Sequence, residues 1–363
     1  MPPHADAQPT APVCARLQRV RPLEAGKLDI VGDVHGEHDA LQGLLQLLGY
    51  ADDGSHRDGR SLVFVGDLVD RGPDSVGVVA RVRTLVDAGR AQVVLGNHEL
   101  NLLRGQRKHG NDWFWDEGAA SDAVFTPCVK ATGAQRHSML AWFETLPLAL
   151  WRGDLRVVHA AWDSASLSRL ALAGGRIVEL FERWDGDVER TLDANGWLAR
   201  AAEQRAAHRH HFGDATYAMP MLDAVGQCDA HRQTGNPIRV VTSGVERCAS
   251  APFFSSGQWR FAQRLPWWNA YRDRVPVVVG HFWRHYVALR RHDFDKGDAD
   301  LFDGVAPTAW MGPARNVFCV DYSVGGRYQE RRSGATSRTR LGALRWPERE
   351  LVLDTGERVA TTA

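Results

Sequence analysis

The chain has 363 residues, 44 basic and 44 acidic side chains, a hydrophobic fraction of 44% and five cysteines. That length admits one large domain or one domain with a sizeable insertion, and the balanced charge excludes a global field that would draw it to nucleic acid or anionic lipid. No stretch approaches the ~20 apolar residues that span a bilayer, and the odd, dispersed set Cys14, Cys128, Cys228, Cys248 and Cys319 fits neither a disulfide framework nor a zinc knuckle, so a reducing, cytoplasmic setting is expected.

Residues 1–26 are rich in proline and alanine and lack an apolar signal core, which predicts a disordered lead. Three short apolar runs follow, each closing on a glycine-led polar motif. Leu28-Asp29-Ile30-Val31 precedes Gly32-Asp33-Val34-His35-Gly36, Ser61 to Val65 precedes Gly66-Asp67-Leu68-Val69-Asp70-Arg71-Gly72, and Gln92 to Leu95 precedes Gly96-Asn97-His98-Glu99. Runs of this length read as buried strands. Leucines at 41, 44, 45 and 48 mark one helical face between the first two motifs, and the valines and leucine at 76, 79, 82, 85 and 86 mark another between the second and third. Strand, helix, strand, helix, strand implies right-handed crossovers and a parallel sheet, whose ligands gather beyond the carboxyl ends of the strands.

Beyond Glu99 the pattern predicts a short helix over 100–103, an irregular Trp-rich segment over 111–132 and a helix over 138–145. Two further apolar strands end in histidine, Leu155 to His159 and Val275 to His281. Between them, about 164–235 reads as a polar helical cap, with 176–207 its longest helix. Strand-like alternation returns at 317–322, 342–346 and 350–354, predicting a second sheet, and 351–363 reads as a tail. The arginines of 327–345 read as a solvated loop, and the His208-Arg209-His210-His211 cluster as a solvated helix face.

The strand tips present Asp33, His35, Asp67, Asn97, His159 and His281. A mixture of oxygen and imidazole donors suits Mn, Fe or Zn better than Mg or Ca. Six donors exceed one tetrahedral site, whereas two ions sharing a carboxylate would use them all, a recurrent device for phosphoester hydrolysis. His98 directly follows a ligand, and its imidazole titrates near neutral pH, as a general acid requires.

On these motifs the sequence resembles the calcineurin-like metallophosphoesterases, and within them the bacterial type of the phosphoprotein phosphatase (PPP) branch, over about Lys27 to His159 and again near His281. The resemblance implies a four-layer α/β (α+β) β-sandwich flanked by helices, spanning 27–350 with the cap inserted. It implies that Asp33, His35 and Asp67 hold one metal ion and Asp67, Asn97, His159 and His281 the other, with Asp67 and a water bridging them. It further implies in-line attack by that water, His98 as general acid oriented by Asp70, and Arg71 holding phosphate oxygens. Manganese is the expected metal, with Fe, Zn or Ni as others. Glu99 reads as a structural acceptor. The chain departs from the family at His159-Ala160-Ala161-Trp162-Asp163, where a second phosphate-binding arginine does not align; Arg284 is a candidate.

The leading expectation is a phosphatase of phosphomonoesters, with phosphoserine or phosphothreonine in proteins as substrate. Asp70 weighs toward it, because the symmetrical diadenosine tetraphosphate hydrolases of the same branch tend to lack that aspartate. Those hydrolases are the alternative, since the run from Gly96 to Leu103 resembles theirs. Trp113, Trp115, Trp162, Trp267, Trp268, Trp283 and Trp310 read as core or interface, with stacking on adenine as the other possibility. No nucleic-acid or membrane partner is expected, and the sequence does not set an oligomeric state. A catalytically silent phosphate-binding scaffold is the third class, against which the complete ligand set argues.

Overall fold

The apolar runs that lead into the motifs are strands buried on both faces. The computed structural model describes residues 18–115, 120–287, 297–334 and 336–362. One sheet is built on β2 (Leu28–Val31), β3 (Ser61–Phe64) and β4 (Ala91–Val93), all parallel. The second contains β1 (Val20–Pro22), β5 (Ala149–Arg152), β6 (Leu155–Val158), β9 (Val277–Val279) and β10 (Val317–Cys319), in the order β1-β5-β6-β9-β10, with β6, β9 and β10 parallel. Alternation along each strand assigns its two faces to different cores. Leu28, Ile30, Val63 and Val65 pack against Leu150, Val157, Val278 and Phe318 between the sheets. Val31, Leu62, Phe64, Val158, Val277 and Val279 face outward against helices. Helix, sheet, sheet, helix is thus a direct reading of period-two strands with two hydrophobic faces.

The crossover helices are α1 (His38–Leu48) and α2 (Ser75–Asp87), the latter capped by Asp74 accepting from Gly77 N at 2.7 Å. The third motif opens α3 (Asn97–Leu103), and α4 is Gly133–Phe143. The segment between the two histidine-tipped strands contains α5 (Ser164–Leu172), α6 (Ile177–Ala194), α7 (Trp197–His208), α8 (Asp223–Gly235) and α9 (Pro237–Ser243). It continues into an antiparallel hairpin, β7 (Glu246–Ser255) and β8 (Gln258–Arg264). The segment has its own small core around Val188, Leu192, Val225 and Phe261. Among the described residues no helix is long and apolar enough to cross a membrane.

Several expectations need correction. The helix predicted over 176–207 is two helices, broken where Gly196 takes φ +71°. The insertion extends past 235 through the β7–β8 hairpin. β11 (Gly342–Trp346) pairs antiparallel with β2, so it and β12 (Glu350–Leu353) extend the first sheet, and only β10 joins the second. The tail is structured as well, because β13 (Arg358–Ala360) adds to β12. The arginine-rich stretch is a solvated loop only in part: 327–333 forms α10 (Arg327–Ser333), exposed on its surface, while Arg327 pairs with Asp354, Arg331 with Glu37 and Arg345 with Asp29.

The lead is ordered from residue 18, while residues 1–17 lie outside the described residues. β1 pairs in parallel with β5, and Arg19 is buried with its guanidinium on the Glu144 carboxylate at 2.8 Å and on the Glu144 and Gly175 carbonyls at 2.8 and 3.0 Å. Removing one partner of such a pair strands the other charge, at a cost of about 3 kcal/mol or more. Arg19→Ala is therefore expected to lower unfolding stability by about 3 kcal/mol in urea titration, whereas a truly disordered lead would give no change.

Candidate functional site

Every motif residue emerges at the carboxyl end of a parallel strand, where the two sheets abut. Asp33 and His35 follow β2, Asp67 follows β3, Asn97 opens α3 after β4, His159 follows β6 and His281 follows β9. The backbone there is strained: His35, Asp67, Asp70, Arg71 and His281 all have positive φ, at 47°, 50°, 76°, 72° and 69°. Each such non-glycine conformation costs of order 1–3 kcal/mol and persists only where the surroundings impose it. Two glycines make room for the carboxylates. A Cβ on Gly96 would strike Asp67 Oδ1, and one on Gly280 would strike Asp33 Oδ1.

Glu99 is the clamp of this arrangement. Fully buried, it accepts from the backbone N–H groups of Asp67 (3.0 Å), Gly96 (3.0 Å) and Leu68 (2.7 Å), tying the β3 tip to the start of α3. Burial, reinforced by the Asp67 charge, pushes its carboxyl up to about 7.

Two of the imidazoles, His35 and His159, are set by what their outer nitrogens touch. His35 Nδ1 lies 3.0 Å from Val69 O and His159 Nδ1 lies 2.7 Å from Val65 O, so each Nδ1 carries the proton and each Nε2 faces inward. There His159 Nε2 meets acceptors, 3.4 Å from Asp67 Oδ2 and 3.1 Å from Asn97 Oδ1, while His35 Nε2 lies 3.8 Å from Asp67 Oδ2 and accepts from Arg71 Nη1 at 3.1 Å. His281 Nδ1 is 2.8 Å from the same Asn97 oxygen, and its buried Nε2 has no hydrogen-bond partner. Lone pairs converging on carboxylate and amide oxygens repel unless a proton or a cation lies among them. This donor set therefore fits divalent ions, and Asp67 is common to both candidate clusters, His35–Asp67–His98 and Asp67–His159–His281.

The ionisation pattern has the same cause. Burial raises the Asp67 carboxyl, but the imidazoles of His159, His98 and His35 outweigh it and hold it well below the usual range. Asp33 moves the other way, pushed well above its usual value by burial and by the Asp321 charge. Burial opposes the charged form of His159, yet Asp67 and Asp33 lift it to about 10. His35 lies well below its usual value through burial and Arg71, and His281 through burial and Arg264.

Beside the cluster, His98 Nδ1 is 2.6 Å from Asp70 Oδ2, which leaves Nε2 facing the cluster at 3.8 Å from Asp67. Trp113 Nε1 donates to Asp70 Oδ1 at 2.7 Å, and Asp70 N donates to Ser75 Oγ at 2.9 Å. Arg71 Nη1 reaches His35 Nε2 at 3.1 Å, with its guanidinium 4.6 Å from the Trp283 ring centre.

Arg284 is not available to a ligand. It is 1% exposed and donates to the carbonyls of Cys319, Ala306 and Ala309. Trp113, Trp267, Trp268 and Trp310 are buried and cannot stack on a base, whereas Trp283 lies against Arg71. His211 stacks on Tyr217 at 3.9 Å, and no metal cluster among the described residues includes it.

Sequence reasoning missed Asp321 and Arg264. Asp321 follows β10 and accepts from Trp283 N and Ser323 N at 2.7 and 2.8 Å. An apolar strand ending in aspartate was the available signal. Arg264 ends β8 in the insertion, and no local pattern marks it.

The family model for calcineurin-like phosphoesterases matches residues 26–225. The symmetrical bis(5'-nucleosyl)-tetraphosphatase of Methylococcus capsulatus is 31% identical over 273 residues, 69% of this chain and 80% of that protein. The same-named protein of Ralstonia nicotianae is 33% identical over 174 residues, 46% of this chain and 50% of that protein. An asymmetrical bis(5'-nucleosyl)-tetraphosphatase of Oceanobacillus iheyensis is 47% identical over 143 residues, 37% of this chain and 55% of that protein. The chain thus spans about half the length of most of these curated relatives.

With His159 lifted to about 10, the metal-free site holds a proton on His159 Nε2 at neutral pH. An ion binding that nitrogen must displace it, so metal affinity rises with pH. Titrating the metal-free protein with Mn²⁺ is expected to release about one proton from this histidine, and affinity is expected to fall about tenfold per pH unit between about pH 9 and pH 7. An affinity that does not change across this range would refute the assignment.

Proposed function

The chain belongs to the calcineurin-like phosphoesterases, and from that membership we propose that it is a dinuclear-metal hydrolase of dinucleoside tetraphosphates. The observation that carries the chemistry is the convergence of the His35 and His159 Nε2 atoms on the Asp67 carboxylate, beside a carboxylate-held His98. Asp33, His35 and Asp67 would hold one ion and Asp67, Asn97, His159 and His281 the other, with manganese the proposed occupant. Such ions would supply the positive charge that phosphoryl transfer demands and would activate water.

The remaining residues take their roles from geometry. Asp70 fixes the His98 tautomer, so that Nε2 is the nitrogen that delivers a proton to the leaving oxygen. Arg71 offers a planar fork to two phosphate oxygens, and its seat on Trp283 restricts its rotamers. Arg264, at the end of β8, lies 4.0 Å from the Glu246 carboxylate and contributes its charge at His281.

The relatives' names support the dinucleotide reading over a phosphoprotein substrate, which was the leading expectation from the sequence. Asp70 does not separate the two, because it serves His98 and any phosphoester cleavage with a poor leaving group uses that proton. The most extensively covered relative of the three favours symmetrical cleavage. Cysteines 128, 228, 248 and 319 are unpaired, which supports a cytoplasmic setting.

Incubation with diadenosine tetraphosphate and Mn²⁺ is expected to yield two ADP; ATP and AMP would mark asymmetrical cleavage, and turnover of phosphoserine peptides alone would overturn the reading. His98→Ala is expected to retain its metal by elemental analysis and to lose about 10²–10⁴-fold in kcat. Loss of metal instead would make His98 a ligand.

A further inference from the structure

In the Trp-rich segment, Trp115 gives its indole N–H to the neighbouring Asn111 side chain, whereas Trp113 gives its own to Asp70 Oδ1 at 2.7 Å. Trp113 is 3% exposed and meets Phe114 edge-on at 5.4 Å. Core packing accounts for the ring but not for a polar contact with a buried carboxylate. The segment is bound to the turn carrying Asp70 at two further points: Arg71 N donates to Gly110 O at 2.9 Å, and Val129 N to Pro73 O at 2.8 Å. Trp113 is anchored by its own main chain as well, its carbonyl accepting from Ala131 N at 2.9 Å.

Asp70 is fully buried, and its two oxygens face two different donors: Oδ2 lies 2.6 Å from His98 Nδ1, and Oδ1 takes the Trp113 indole. Its main chain is fixed by the bond from its N–H to Ser75 Oγ. The torsion that turns the carboxylate plane is intrinsically broad, so a single bond through Oδ2 leaves the plane free to swing. A donor on the other oxygen removes that freedom. The His98 ring follows the oxygen it is bonded to, and the carboxylate plane therefore sets where Nε2 points. Without the indole N–H, a buried acceptor loses its donor, a cost relieved by rotating the carboxylate or admitting water. Either response tilts the imidazole.

We propose that Trp113 is a positioning residue of the reaction: its indole N–H locks the Asp70 carboxylate in the plane that aims His98 Nε2 at the leaving oxygen. This rests on His98 as the proton donor, as read above. Loss of the N–H is then felt in the step that moves the proton, and not in the binding of metal through Asp67 or of phosphate through Arg71. Proton donation matters more the worse the leaving group, which gives the role a signature that loss of packing does not share.

Trp113→Phe keeps an aromatic ring and removes the donor. The experiment measures kcat and KM with Mn²⁺ on phenyl phosphate and on p-nitrophenyl phosphate, the better leaving group, in the native protein, Trp113→Phe, His98→Ala and the double variant. Trp113→Phe is expected to lower kcat about tenfold on phenyl phosphate and about threefold or less on p-nitrophenyl phosphate, with KM within about twofold. In the His98→Ala background it is expected to cost no more than about twofold, because no imidazole remains to be aimed. Equal losses on the two substrates, or a loss that persists in full on top of His98→Ala, overturn the proposal and leave Trp113 a packing residue. If His98→Ala itself loses equally on both substrates, the reading of His98 as proton donor is overturned instead. A readout that needs no substrate is the downfield Nδ1–H proton resonance of His98 in the metal-free protein, identified by its absence from His98→Ala. It is expected to broaden by exchange with water in Trp113→Phe, and an unchanged resonance overturns the proposal. Should Trp113→Phe not fold, benzothienylalanine at position 113, which replaces the N–H by sulfur within the same outline, carries the same tests.

Discussion

The Asp67 carboxylate is the point on which the site depends. It lies within 4 Å of the inward nitrogens of His35, His98 and His159, accepts the His98 backbone N–H at 3.0 Å, and sits on a residue with φ +50°. A single buried anion among three imidazoles stays ionised although burial alone would protonate it. Its position is enforced from behind by Glu99, which spans the tips of β3 and β4. The strain at the strand tips and the burial of two charges are costs that only the double-sheet core can offset. Residues flanking the motifs belong to both cores, Val31, Phe64 and Val279 to one and Val65, Val94 and Val278 to the other.

That geometry explains why the reaction chemistry was legible in the sequence and much else was not. A strand buried on both faces writes itself as an uninterrupted apolar run, and the residue after its tip has one place to go. Asp33, Asp67, Asn97, His159 and His281 could therefore be collected by position alone. β1 and β13 are three-residue edge strands, too short to carry a period, and Arg19 is buried through contacts with Glu144 and Gly175 more than a hundred residues away. β11 and β12 were read as strands but assigned to the wrong sheet, because alternation fixes the faces of a strand and says nothing of its neighbour. Arg284 and Arg264 show the same limit for function: the one beside a motif is spent on backbone carbonyls, and the one in the insertion is felt at His281.

The tryptophans divide along a similar line. Trp113 resembled its neighbours in the chain, yet its indole N–H is the second partner of Asp70, which leaves that carboxylate no freedom to rotate away from His98. Such a role follows from a loop folding back over the β3 tip, which local sequence does not encode. Trp283 is held by Asp321 through its backbone N–H, and Asp321 also depresses the acidity of Asp33. The late strand β10 thus shapes both the candidate metal cluster and the residue that packs on Arg71.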